Sequence, residues 1–168
     1  MQQNLQQALD EIKGLPLTKT TRSELIQYFH FGSTHYTTPQ GLILDVGLFT
    51  LALNCPWQLK TVDGDVIKHG EVFMRKREAG LPSPKFDWKV PGANLRDQRL
   101  KELVKDTAAL AVESVELKAN YTFTLYFING SVLEVMPDLT KQAEVYWQLF
   151  SNTGNDFKVG AGAAGIIY

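Results

Sequence analysis

The sequence predicts an α+β fold with a largely antiparallel β-sheet, an N-terminal helix and one central helix. Three observations carry this expectation. Apolar residues recur at helical spacing near the start of the chain and again in its middle. The remaining segments are short runs rich in β-branched and aromatic residues, bounded by turn residues. Strands and helices do not alternate, as a parallel sheet with crossover helices would require. With 168 residues, the chain reads as a single globular domain over 1–168, and a chain of this length buries roughly 70% of its unfolded surface without needing a disulfide or metal.

The elements follow in order. Leu5, Ala8, Leu9 and Ile12 form the stripe of a docked amphipathic helix that Gly14 and Pro16 end. Residues 25–73 read as a run of strands, with a turn at 37–41. The stretch 42–55 is long for one strand, and Gly47 marks a bulge or bend within it. Residues 57–62 and 66–73 form a hairpin about Asp63-Gly64. Residues 75–93 hold three prolines and two glycines and read as a long irregular loop; loops beyond about 12–15 residues are uncommon in compact domains.

The second helix spans 94–106, with Asn94 as its cap and Leu100, Leu103 and Val104 as its buried stripe. Strands are expected at 110–119, 121–128 and 131–136, and Asn129-Gly130 is the strongest hairpin signal in the chain. Residues 143–150 fit a strand or a short helix, with the strand favoured, and 157–162 a last short strand.

Composition excludes several classes of function. A net charge of −1 argues against attraction of the whole molecule to nucleic acid or a membrane surface. Cys55 is the sole cysteine, so neither an intramolecular disulfide nor a cysteine-based zinc site is expected. The N-terminal segment has no basic start followed by an apolar run, and no stretch approaches the ~18–20 apolar residues of a membrane span. A cytoplasmic location is expected.

Several segments together carry a resemblance. Cys55-Pro56-Trp57, Phe86-Asp87-Trp88 and Pro91-Gly92-Ala93-Asn94 are followed by 112–116, 129–137 and 144–150, the last with Glu144, Trp147 and Phe150. This resembles a family of small, uncharacterised bacterial proteins with a Cys-Pro-Trp strand, a Phe-Asp-Trp loop and a closing Glu-x-x-Trp-x-x-Phe segment. Gln58 and Lys158 depart from that pattern, standing where an arginine and a histidine are expected. The resemblance spans about residues 41–162 and implies no activity. By analogy with small proteins encoded beside bacterial toxins, it suggests an immunity-type binding role.

Most catalytic motifs fail on context. Residues 160–165 spell G-x-G-x-x-G, but a dinucleotide site needs a helix and an acidic residue beyond it, and no cofactor is expected. Cys55, a nucleophile only if a histidine activates it, sits beside a strongly apolar run, where an inert buried thiol is commoner. His30, His35 and His69 match no metal-ligand spacing, and Asp63-Gly64-Asp65 lacks the later ligands of a calcium loop. Glu113 and Glu116 are expected on opposite faces of a strand, with Glu113 partly buried beside Val115.

Charge segregation is more informative. Residues 75–105 carry nine basic and four acidic groups on an otherwise acidic chain. Arg75, Lys76, Arg77 and Arg99 would steer a partner, while Phe86 and Trp88 add aromatic surface of hot-spot composition. Trp88 has two readings, as an inward cover for the sheet, the commoner fate of a large aromatic, or as an exposed anchor. The expected function is non-enzymatic binding of an acidic protein partner. The alternatives are a small-ligand site or enzyme between sheet and loop involving Cys55, Glu113 or His35, a nucleic-acid contact through the basic segment, and a homodimer through strand edges.

Overall fold

Strands with an apolar residue at every second position leave one sheet face to be covered, and here two sheets cover each other. The structure is a computed structural model that describes residues 2–75, 86–105, 107–153 and 156–168. Helix α1 (Gln2–Leu9) leads through a 3₁₀ turn into β1 (Leu17–Ser23), β2 (Ile26–Phe31), β3 (Thr34–Thr37), β4 (Ile43–Val46), β5 (Phe49–Leu53), β6 (Trp57–Lys60) and β7 (Val66–Lys68). After α2 (Leu95–Leu103) come β8 (Val112–Leu117), β9 (Phe123–Phe127), β10 (Val132–Val135), β11 (Trp147–Ser151), β12 (Lys158–Gly162) and β13 (Gly165–Ile167). One sheet has the order β1-β2-β5-β11-β12-β13, the other β7-β6-β10-β9-β8, and β3 and β4 form a separate ribbon. Neighbouring strands are antiparallel throughout. The fold is therefore α+β with a largely antiparallel architecture, as expected.

The core lies between the sheets. Phe29 of β2 meets Trp57 of β6 edge-on at 5.3 Å, and Phe123 of β9 meets Trp147 of β11 at 4.8 Å. All four are buried, and each such side chain stabilises the fold by roughly 1.5–3 kcal/mol relative to exposure. Trp147 Nε1 donates to the Tyr121 carbonyl at 2.9 Å, so its polar atom is satisfied. Leu5, Leu9 and Ile12 complete the core from the helical end. No helix among the described residues is long and apolar enough to cross a membrane.

Several local expectations are corrected. β1 falls on a segment not expected to form a strand, because Leu17 is its one fully buried residue and the rest is polar. The strand beginning at Val66 stops at Lys68, where the Lys68 N–H donates to Glu71 Oε2 and His69–Phe73 coil into a 3₁₀ turn. Gly47 does separate two strands, and they belong to different sheets. Glu113 is exposed rather than partly buried, because a bulge between Val112 and Ser114 lets Val112 and Val115 both point inward.

On α2, Leu100 is buried as expected, but so is Arg96, at 1% exposure, while Leu103 and Val104 are only partly buried. The Arg96 guanidinium lies 5.6 Å from the Trp57 ring and donates to the His69 carbonyl. Its Nε and Nη2 have no acceptor among the described residues. Burial lowers its pKa to about 10, with the Asp97 charge opposing that shift and Arg22 adding to it.

The glycine-rich end is a hairpin of β12 and β13, not a strand followed by a helix. A Cβ at Gly160 would stand 2.5 Å from the Trp147 carbonyl oxygen, and one at Gly162 would collide with the Glu144 backbone. Close backbone approach accounts for these glycines without a pyrophosphate.

Candidate functional site

The residues before α2 are pinned from several sides. Asn94 caps the helix, accepting from the Asp97 N–H at 2.8 Å, and its Nδ2 donates to the Trp88 carbonyl at 3.1 Å. Arg22 of β1 grips Asp97 through Nε at 2.8 and 2.9 Å, and its Nη2 donates to the same Trp88 carbonyl at 2.7 Å. The Gly92 N–H donates to Asp97 Oδ2, and the Leu95 N–H donates to the Met74 carbonyl. Residues 86–94 are thus tied to β1, to α2 and to the segment after β7. This rigid backbone presents Trp88 half-buried.

Around Trp88 lies an apolar surface with a cationic rim. Its ring meets Phe73 edge-on at 5.3 Å, with the Arg22 guanidinium at 5.7 Å and the Lys89 ammonium at 5.8 Å. Phe73, Met74 and Val90 are 55%, 52% and 50% exposed. Arg75 lies 5.9 Å from the Phe86 ring. An exposed Phe73 packed edge-on against Trp88 is the composition of a contact surface, and such apolar area is costly to leave in water.

The basic segment does not present all of its formal charge. Arg99 turns inward to Asp65 and Glu71 and donates to the Val66 carbonyl. Lys105 pairs with Glu102, and Arg96 is buried. Lys89 and Lys101 remain on the outside. Of the expected steering residues, Arg75 sits beside Phe86, Arg99 is committed elsewhere, and Lys76 and Arg77 lie outside the described residues.

A second feature lies on the outer face of the six-stranded sheet, where the β3–β4 ribbon overhangs a cleft of about 540 Å³. Tyr28, Tyr36 and Phe150 supply aromatic walls. Beneath them runs a polar chain. Asn152 Nδ2 donates to Thr50 Oγ1 at 2.7 Å, and Thr50 Oγ1 lies 3.0 Å from His30 Nδ1. His30 Nε2 lies 2.7 Å from Thr21 Oγ1, so both ring nitrogens are hydrogen-bonded to threonine hydroxyls. Burial, reinforced by Lys19, lowers the His30 pKa, in keeping with a neutral ring.

The three pocket candidates read from the sequence lie on separate elements. Cys55 is half-buried between β5 and β6, and burial pushes its thiol up to about 12, so it is protonated at neutral pH. Glu113 stands exposed on β8. His35 of β3 pairs with Asp45 across the ribbon at 2.7 Å, both largely exposed. Among the described residues, no group of three or more histidine, cysteine or acidic side chains is placed to hold a metal ion.

Phe73, Met74, Arg22 and the His30 network escaped the sequence reading. Phe73 ends the stretch 66–73 expected as a strand, Met74 lies just beyond it, and Arg22 hid in an unexpected strand. Comparison of the chain with family models, with curated proteins and with solved structures finds no match to any of them.

Proposed function

We propose that the protein is a non-enzymatic binding module for an acidic protein partner, in the manner of an immunity protein, and that Trp88 anchors the contact. The observation that carries this reading is an exposed Phe73 packed edge-on against a half-buried Trp88 on a pinned backbone, with Met74 and Val90, close to them in sequence, also exposed. Binding interfaces concentrate their energy in such aromatic anchors, with charged groups at the rim setting orientation and encounter rate. Lys89 and Arg75 occupy that rim. Pre-positioning matters because a rigid anchor loses little freedom on binding.

Immobilised protein incubated with lysate of its source cell tests the reading. One acidic protein should be retained at low salt and released at moderate salt, and Trp88→Ala should weaken its retention by about tenfold or more. Retention indifferent to both salt and Trp88→Ala contradicts the reading.

The cleft above His30 favours a second reading, small-ligand binding. Its volume of about 540 Å³ lies within the range of ligand pockets. It combines aromatic walls with a hydrogen-bonded polar floor of Thr21, His30, Thr50 and Asn152, which is the division of labour such pockets use.

A further inference from the structure

A sheet edge exposes unpaired N–H and C=O groups, and proteins normally block it. Among the described residues the two large sheets have four edges, and three are blocked or short. β8 is covered by the Gln6 side chain, which donates to the Val115 carbonyl and accepts from the Leu117 N–H, and by backbone bonds from residues 14–15 to Val112. β7 has three residues, with its Val66 carbonyl bonded to Arg99 and its Lys68 N–H bonded to Glu71. β13 also has three residues. β1 has seven, an edge of roughly 23 Å at the usual strand rise. Among the described residues, no element beyond the neighbouring β2 donates a hydrogen bond to the backbone of 18–23.

Beside β1 runs a groove of about 690 Å³, walled by the turn Lys89–Gly92 and by the α2 side chains Asp97 and Lys101. Arg22 and Asp97 neutralise each other. Lys19, Lys89 and Lys101 then face only Glu24 among the lining carboxylates. At the end of the strand, Arg22 holds the Trp88 carbonyl. A chain running along β1 therefore arrives at the proposed anchor.

We infer that the acidic partner docks by adding an extended segment to β1 as a seventh strand of the six-stranded sheet. This rests on the binding reading above and specifies how that surface is used. Backbone bonds along β1 supply affinity, and acidic side chains at alternate positions meet the lysines. A second copy of this chain is the poorer occupant, because edge-to-edge pairing would bring two sets of these lysines together.

The test uses a labelled synthetic peptide of alternating valine and glutamate, the same peptide N-methylated at alternate residues, and one of alternating valine and lysine. The acidic peptide should bind and slow amide exchange within 18–22. N-methylation should weaken binding by about tenfold or more, as should Lys19→Glu with Lys101→Glu, two exposed changes that leave the fold intact. The lysine peptide should bind that double variant better than the original.

Equal binding of both acidic peptides, no binding, or protection located elsewhere overturns the inference. So does β1 protection that grows with protein concentration in the absence of peptide, which assigns the edge to a second copy. A captured partner that needs Trp88 yet leaves β1 unprotected overturns strand addition alone. A partner indifferent to Trp88 overturns the binding reading instead.

Discussion

His30 has both ring nitrogens within hydrogen-bond reach of threonine hydroxyls, and the protons this leaves available make stability depend on pH. Burial lowers its pKa below the ordinary value of about 6.5, with Lys19 adding to the shift. Burial also lowers that of His69, against an opposing hydrogen bond to the Trp57 backbone. A base with a lowered folded pKa takes up its proton more readily when unfolded. These groups therefore leave stability unchanged above about pH 7 and reduce it as pH falls through about 6.5. Glu134, whose burial is outweighed by bonds from Lys60 and Gln58, loses its contribution only at more acid pH, below the ordinary glutamate pKa of about 4.3. The urea midpoint should fall between about pH 7.5 and 5.5, and the double variant His30→Gln, His69→Gln should flatten that fall. An undiminished slope in the double variant would assign the effect to other groups. The sequence shows neither shift, because each depends on what packs over the ring. The same is true of Arg96, which counts toward a basic surface in the sequence and is buried against Trp57 in the fold.

At the scale of elements, local chemistry was legible and pairing was not. Asn129-Gly130 and Asp63-Gly64 each make the hairpin that their left-handed glycines permit, joining β9 to β10 and β6 to β7. Asn94 caps α2 as its position predicts. β1 escaped because an edge strand with one fully buried residue lacks the alternation that marks a half-buried strand. β5 pairs with β11, nearly a hundred positions away, and nothing in either segment specifies the other. The covering of β8 is a long-range device of the same kind, in which one helical glutamine substitutes for a neighbouring strand. Gln6→Ala should therefore cost about 1–3 kcal/mol, since it leaves a β8 donor and acceptor without partners. It should also raise self-association through the uncovered edge, read by sedimentation at increasing concentration. Unchanged stability and a constant sedimentation coefficient would show that α1 covers β8 only through its apolar stripe.

For the whole molecule, the segregation of charge along the chain drew attention to residues 75–105 and overstated their field. Residues 75–105 hold nine basic groups, yet Arg99 is spent on Asp65 and Glu71, Lys105 on Glu102, and Arg96 is buried. What the fold adds is Phe73, which meets the Trp88 ring edge-on, with Met74 and Val90, close to them in sequence, also exposed. Two features then compete for the role of working surface, this apolar patch and the cleft above His30. The most direct measurement is hydrogen–deuterium exchange across the chain, with and without the protein captured from lysate. The account predicts slowed exchange in 71–75 and 86–92, extending along β1, with the His30 cleft unchanged. Protection centred on Tyr28, Tyr36 and Asn152, with 86–92 unaffected, would contradict it and give the function to the cleft.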